Sequence, residues 1–298
     1  MKKIKFFGML LTTTLVFGAC QQNEETNEQV NEEITIEVEK NQEKIVSLNG
    51  AISEIICELG RGDEIVGVDV ASTFPEWLTD SATVLGHANT LTVEGILNLQ
   101  PTVVMTTVGS LKPEIESAIK NAGIELIAFN QEFSVEGTKS LVLEVAEFLN
   151  EGYKAQEINQ NIDGVVSEIA AFDNPPSVLF IYARGAGTLM VAGKDTPMDQ
   201  IVQLAKGENS ITDFSDFKPL TEEALLGANP DVILMFDKGL QSLNGFEGLV
   251  NAVPAIAETN AGKNNGVIAM DGAFLTSFGP RLGNAAKELN ALLTPYAK

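Results

Sequence analysis

Residues 91–105 read LTVEGILNLQPTVVM and residues 220–235 read LTEEALLGANPDVILM. Leu91 matches Leu220, Thr92 matches Thr221, Glu94 matches Glu223 and Pro101 matches Pro230, all at one constant offset. In each copy a threonine can N-cap a short helix, an acid stands in its first turn, and a proline marks its end before an apolar strand. Two such units far apart in one chain predict two similar lobes. Function is expected where the lobes face each other.

Outward from the first unit, strands and helices alternate. Short apolar strands are predicted at 45–49 (IVSLN), 65–69 (IVGVD), the TVLGH stretch ending at His87, 102–107 (TVVMTT) and 125–130 (ELIAFN), with helices at 53–59 and near 113–122. Strands that are apolar throughout belong to a mainly parallel sheet covered by helices on both faces. A long helical stretch follows from about residue 135 to Phe172, with a candidate break at Asn150-Glu151-Gly152. Within it Ile158, Ile162, Val165, Ile169 and Phe172 recur at helical spacing and make one apolar stripe. At about 1.5 Å per residue such a helix can cross from one lobe to the other, and Asn174-Pro175-Pro176 ends it. The second lobe continues with 177–184 (SVLFIYAR), 185–193 (GAGTLMVAG), a helix at 197–205, the second repeat unit, 231–236 (DVILMF), 266–271 (GVIAMD) and a last helix at 282–293. The fold class is therefore α/β, with two similar lobes, each a mainly parallel sheet flanked by helices, joined by one long helix. Expected boundaries are 44–150 for the first lobe, 151–174 for the linking helix and 175–298 for the second lobe. A single long helix between lobes predicts a rigid pair rather than a hinged one.

Upstream, Lys2, Lys3 and Lys5 precede an apolar run from Phe6 to about Val16, too short to span a membrane, and Gly18-Ala19 before Cys20 suits a cleavage site closing a leader over 1–20. Residues 21–43 are rich in Gln, Asn and Glu and read as a flexible acidic tether. The formal charge of the 298-residue chain is −22, and loss of the three leader lysines takes it to −25. Such acidity argues against nucleic acid as a partner and against an electrostatic hold on anionic lipid. Cys57, the only cysteine besides Cys20, sits among Ile55, Ile56 and Leu59 and is expected to be a core thiol.

No catalytic constellation is present. The chain has one histidine, no Gly-x-Ser-x-Gly, no glycine-rich phosphate loop and no His/Cys cluster spaced for zinc. It reads as a binding protein; an enzyme would have to be a lipid-anchored one using a carboxylate pair or His87. His87 follows Gly86 at the carboxyl end of the TVLG strand, where ligands approach open α/β sheets. Two roles are open to it: a loop histidine held by hydrogen bonds, or an iron ligand through a neutral imidazole. One histidine is too few for a bare metal ion, but it is enough for haem, whose porphyrin supplies the other nitrogens.

From about residue 43 onward, IVSLNGAISEIICELG (45–60), GHANTLTVEGILNLQP (86–101), ARGAGTLMVAGKDTP (183–197), DFKPLTEEALLGANPDVILM (216–235) and AMDGAFLTSFGPR (269–281) resemble the haem-binding lipoproteins of bacterial ABC importers, within the cobalamin and siderophore binding-protein superfamily. The resemblance covers both lobes. It implies a class III periplasmic-binding-protein fold, no enzymatic activity, and a haem held between the lobes for delivery to an ABC permease dimer. Gly18-Ala19-Cys20 resembles a bacterial lipobox, with Phe17 where the family usually has Leu, and implies that Cys20 is lipidated and anchors the protein outside the cytoplasm. Family members commonly read Gly-Tyr-x-Arg-x-Leu where this chain has Gly86-His87-Ala88-Asn89-Thr90-Leu91, the tyrosine being the axial ligand and the arginine its supporting donor. His87 would then replace the tyrosinate as axial ligand, while Asn89 removes the supporting arginine's charge. For a second axial ligand from the opposite lobe the chain offers Tyr182 and Met190, with a core role open to Met190 and packing on the porphyrin open to Tyr182; five-coordinate iron and a weak sixth ligand are level alternatives. Arg184 and Arg281, two of only three arginines, suit propionate pairing or ordinary surface salt bridges. Glu94 and Glu223 would complement their helix dipoles and, by the resemblance, dock onto the permease, one from each lobe. A corrinoid or a ferric siderophore is the competing ligand, and the receptor is expected to be a monomer.

Overall fold

The computed structural model describes residues 43–87, 90–185, 187 and 189–298. The leader with Cys20, the tether up to residue 42 and Asn89 lie outside the described residues. The first half runs β1 (Ile45–Ser47), α1 (Gly50–Glu58), β2 (Ile65–Val68), α2 (Leu78–Ser81), β3 (Thr83–Val84), α3 (Val93–Leu97), β4 (Val103–Thr107), α4 (Pro113–Asn121) and β5 (Glu125–Phe129). Its five strands pair in the order β3-β2-β1-β4-β5, every pair parallel. Ile45, Val46, Val103, Val104 and Met105 are at most 1% exposed, which explains strands that are apolar without alternation. Helix α1 starts earlier than the predicted residue 53 because Asn49 caps it, its Oδ1 accepting from the Ile52 N–H at 3.2 Å.

The predicted long helical stretch is two helices, α5 (Val135–Phe148) and α6 (Gly152–Ser167). Asn150 lies between them at φ +58, and the Arg61 guanidinium takes up the Leu149 carbonyl at 2.9 Å. Glu168 caps α6, so Phe172 falls beyond it. The apolar stripe is nonetheless used: Ile158, Ile162 and Ile169 are buried. Helix α6 packs on α5 on one side and on the last helix of the chain on the other, and so joins the two halves.

The second half runs β6 (Ser177–Tyr182), β7 (Met190–Ala192), α7 (Pro197–Leu204), β8 (Glu208–Asn209), β9 (Phe217–Pro219), α8 (Glu222–Ala228), β10 (Val232–Phe236), α9 (Asp237–Ser242), α10 (Gly245–Ala252), α11 (Asn260–Lys263), β11 (Val267–Met270), α12 (Gly272–Thr276) and α13 (Leu282–Leu293). The sheet order is β11-β10-β6-β7-β9, with β8 paired to β6. Strands β6, β10 and β11 are parallel, whereas β7 and β9 add an antiparallel edge. Among the described residues no helix is long and apolar enough to cross a membrane.

The internal repeat is structural as well as sequential. Thr92 Oγ1 accepts from the Gly95 N–H and Thr221 Oγ1 from the Ala224 N–H, each at 3.1 Å. Ile96 and Leu225, at equivalent places, are both fully buried. Gln100 and Asn229, also equivalent, both take positive φ (+50 and +38) before the buried Pro101 and Pro230. Cys57 is half-buried beside the core, and burial, helped by Glu54 and Glu58, pushes its thiol up to about 12, which makes it a poor nucleophile. Because the two caps are alike, Thr92→Ala and Thr221→Ala are each expected to cost about 1 kcal/mol in urea unfolding, and by similar amounts.

Candidate ligand cleft between the sheets

The carboxyl ends of β2, β3, β6, β10 and β11 open onto one cavity of about 530 Å³. Asp69, Val70, Ala71 and Thr73 line it after β2, His87 after β3, Tyr182, Ala183 and Arg184 at the end of β6, Lys238 and Ser242 from α9, and Asp271 with Gly272 after β11. A second cavity of about 450 Å³ shares Tyr182, Phe236 and Thr276 with the first and is walled by Phe180, Met190, Pro197, Met198 and Phe217. The two adjoin in one cleft, with a mouth lined by charged and polar residues and an apolar side chamber, each part in the size range of small-molecule sites.

His87 reaches this mouth through local geometry. Gly86 takes φ +97, a conformation costly for any side-chain-bearing residue, and the Thr90 N–H and Oγ1 both donate to the His87 carbonyl, at 2.8 and 3.0 Å. Its imidazole is exposed at the cleft. Across from the β2 and β3 ends, Tyr182 is half-buried, with its ring edge against Phe236 at 6.0 Å and 81°. Met190 pairs with Tyr182 across β6 and β7 and lines the apolar side chamber rather than the mouth.

The cleft also gathers two cations. Arg184 and Lys238 are exposed in it, and neither forms an ion pair with another described residue. Ser242 brings them together: its Oγ accepts from the Gly185 N–H at 2.9 Å and donates to the Gly239 carbonyl at 2.7 Å, pinning the Arg184 turn to α9. Gly239 permits this approach, since a Cβ there would sit 3.2 Å from the Ala183 carbonyl oxygen. Lys238 is absent from the sequence-based candidates. Its signal was the rule that singled out His87, a polar residue just past the carboxyl end of an apolar parallel strand.

Arg281 is not brought into the cleft, contrary to expectation. Its Nε and Nη2 donate to Glu54 Oε2 and Oε1 at 3.0 and 2.7 Å, and it lines a separate cavity with Glu58, Lys154 and Glu288. Glu54 is only 4% exposed, and a carboxylate that buried requires a partner. Glu94 and Glu223 are exposed in the first turns of α3 and α8, outside the cleft lining. Among the described residues no group of three or more His, Cys, Asp or Glu side chains is placed to hold a metal ion.

Residues 45–273 match the periplasmic binding protein family. The chain belongs to that family. Among solved structures it is similar to the periplasmic heme-binding protein RhuT from Roseiflexus sp. RS-1 in apo form (35% identity, TM-score 0.82, 86% of this chain and 100% of that one). It is also similar to the periplasmic heme-binding protein BhuT in complex with two hemes (30% identity, TM-score 0.80, 85% and 98%). Among curated proteins it is 27% identical over 272 residues to the uncharacterised ABC transporter substrate-binding lipoprotein YvrC of Bacillus subtilis strain 168, covering 87% of this chain and 82% of that one. This periplasmic binding protein has the class III arrangement, two parallel-rich sheets flanked by helices and facing each other across a ligand cleft.

At the cleft floor of this periplasmic binding protein, Asp69 Oδ1 accepts from the Ser72 N–H at 3.1 Å and from Ser72 Oγ at 2.6 Å. Behind it the hydroxyls of Ser72, Ser53 and Ser47 touch in turn at 2.7 and 2.8 Å. Burial pushes the Asp69 carboxyl above the usual carboxylate range, outweighing these hydrogen bonds, which pull it down. The folded chain therefore holds this proton where the unfolded chain releases it, and the ionised carboxylate opposes folding. Its contribution is most favourable below about pH 4, the unfolded value, and declines as pH rises through the folded value. Asp69→Asn retains an Oδ1 acceptor for Ser72 without the charge. Urea midpoints taken from about pH 4 to about pH 7 are expected to fall less steeply with pH in this variant than in the wild type.

Proposed function

We propose that this periplasmic binding protein is an extracytoplasmic haem receptor that hands haem to the permease of an ABC importer. One observation carries the reading: His87, an apolar chamber and two cations line a single cleft, in a chain 35% identical over 86% of its length to a haem-binding protein. Haem presents a flat apolar ring, an iron that accepts nitrogen or oxygen ligands, and two carboxylates at one edge. The cleft has a complement for each of these.

His87, from the N-terminal lobe, serves as axial ligand. Tyr182 on the opposite wall serves as second ligand or packs on the ring, and Met190, in the apolar side chamber, packs on it. Arg184 and Lys238 pair with the propionates, the role once open to Arg281. Asp237 and Asp271 also line the cleft, but each is engaged at a helix start, accepting the Lys238 N–H at 2.6 Å and the Phe274 N–H at 2.8 Å. In a chain of net charge −22, an anionic ligand depends on the two cations to enter. A corrinoid, which carries amides where haem carries propionates, would leave them unpaired.

Delivery needs contacts outside the cleft. Glu94 and Glu223 dock onto the two halves of a permease dimer, a role supported by their equivalent cap geometry and exposure. One chain supplies both contacts, so the receptor acts as a monomer. Cys20 carries the lipid anchor, in line with the lipoprotein name of the Bacillus relative. The receptor carries out no reaction on haem.

The full chain in detergent is titrated with haemin, followed by absorbance, with cyanocobalamin in parallel. A saturable Soret band is expected; His87→Ala shifts that band and weakens binding tenfold or more. Arg184→Ala and Lys238→Ala each weaken binding by roughly tenfold without moving the band, the size expected for a charge-assisted hydrogen bond. Retention of cyanocobalamin with no saturable haemin binding would overturn the haem assignment.

A further inference from the structure

Arg281 stands outside the cleft yet touches the chain neighbours of residues in both of its walls. Besides its two hydrogen bonds to Glu54 on α1, its guanidinium lies 3.6 Å from the ring centroid of Phe74 and 4.9 Å from that of Phe274. Phe74 ends the segment whose Asp69, Ala71 and Thr73 line the cleft from the first lobe. Phe274 lies in α12, whose Gly272, Ala273 and Thr276 line it from the second. The stretch before Arg281 is docked on the first lobe as well: Gln131 Nε2 donates to the Ser277 carbonyl at 2.9 Å and Thr138 Oγ1 to the Phe278 carbonyl at 3.0 Å. Phe278 itself is buried at φ +50, with its ring 5.3 Å from that of Phe133 in an edge contact. A bulky side chain stays in the left-handed region only where its surroundings over-determine it.

We propose that the Phe74–Arg281–Phe274 stack, tied to Glu54, sets the width of the cleft, which makes Arg281 a positioning residue for the ligand rather than a contact to it. The ligand named in the test rests on the haem reading above. Charge alone does not demand this arrangement, because a buried ion pair can be exchanged for apolar side chains at similar stability. A methylene chain cannot reproduce a planar cation in contact with both rings, which holds those rings at a fixed spacing. Without it the lobes stay packed through α5, α6 and α13, but the Asp69–Thr73 wall is released from α12. A flat ligand gripped between the two walls then leaves faster.

Arg281→Met, the double variant Glu54→Leu with Arg281→Met, and Phe274→Leu are compared with the wild type as full chains in detergent. Urea midpoints, haemin transfer to excess apomyoglobin and the Soret position are read, together with acrylamide quenching of Trp77. Trp77 is the only tryptophan, rests on Gly62 just past Phe74, and reports on this segment without ligand. Arg281→Met alone is expected to be destabilised by an unpaired Glu54, and the double variant to recover the wild-type midpoint. All three variants are expected to release haemin at least tenfold faster with an unchanged Soret position, since His87 is untouched, and to show stronger Trp77 quenching. Recovery of the slow release rate together with the midpoint in the double variant would reduce Arg281 to a stabilising residue and sink the proposal. So would slow release from Phe274→Leu, which leaves the ion pair whole. If the wild type binds no haemin, the haem reading fails, and the clamp stands or falls on Trp77 quenching in the double variant.

Discussion

Strands buried on both faces can offer a ligand only their ends. The central strands β1 and β4 of the first sheet and β6 and β10 of the second are buried along nearly their whole length, so the chemistry-bearing residues emerge where strands stop. Asp69, His87, Tyr182, Lys238 and Asp271 each stand within a few residues of such an end, and all five line one cavity. Turning the two carboxyl edges toward each other makes a cleft from two half-sites, neither of which is complete alone. The first edge brings an imidazole, and the second brings aromatic rings and cations.

Charge explains why so few residues settle what such a cleft admits. The chain is strongly acidic, and three of the residues in the mouth are aspartates. Two of these, Asp237 and Asp271, accept N–H groups at helix starts, and burial raises the Asp69 carboxyl above the usual carboxylate range. Against this background Arg184 and Lys238, held on neighbouring turns by Ser242, are the basic side chains that the cavity presents. An anionic edge on the ligand follows from that pairing, and an apolar face from the rings that line the side chamber.

The lobe junction is packed at both of its ends. Away from the cleft, α6 packs on α5 and α13, and the Glu151–Arg61–Glu64 cluster closes the turn between α5 and α6. Near the cleft, the Ser277–Arg281 stretch is docked on the first lobe by hydrogen bonds to its carbonyls and by the Glu54 pair. A binding site made from two walls keeps its shape only if both ends of the junction are held. Arg281, which the sequence offered as a ligand contact, belongs to that framework instead.

Much of this was legible in the order of residues. Apolar, unalternating strands between helical stretches identify parallel sheets, the repeated Thr-x-Glu and Pro positions identify two lobes, and Gly86-His87 past a strand end identifies the mouth of the site. These signals are local: a cap, a backbone preference or a periodicity is expressed within a few neighbours along the chain. The break at Asn150-Glu151-Gly152 was legible as well; the left-handed Gln100 and the antiparallel edge β7 and β9 were not, because tertiary packing overrides weak local preferences there. Which arginine faces the ligand was likewise beyond the sequence. Arg184 and Arg281 are the same residue type in equally glycine-rich surroundings, and only the fold places a buried Glu54 beside one and an open cleft beside the other. Lys238 joined the site for the same reason, since the hydrogen bond from Gly185 to Ser242 that sets it beside Arg184 spans residues far apart in the chain. The sequence by itself determined the architecture and the residue types at the strand ends; the tertiary structure decided which of them meet, because long-range pairing depends on burial and on partners that no local pattern records.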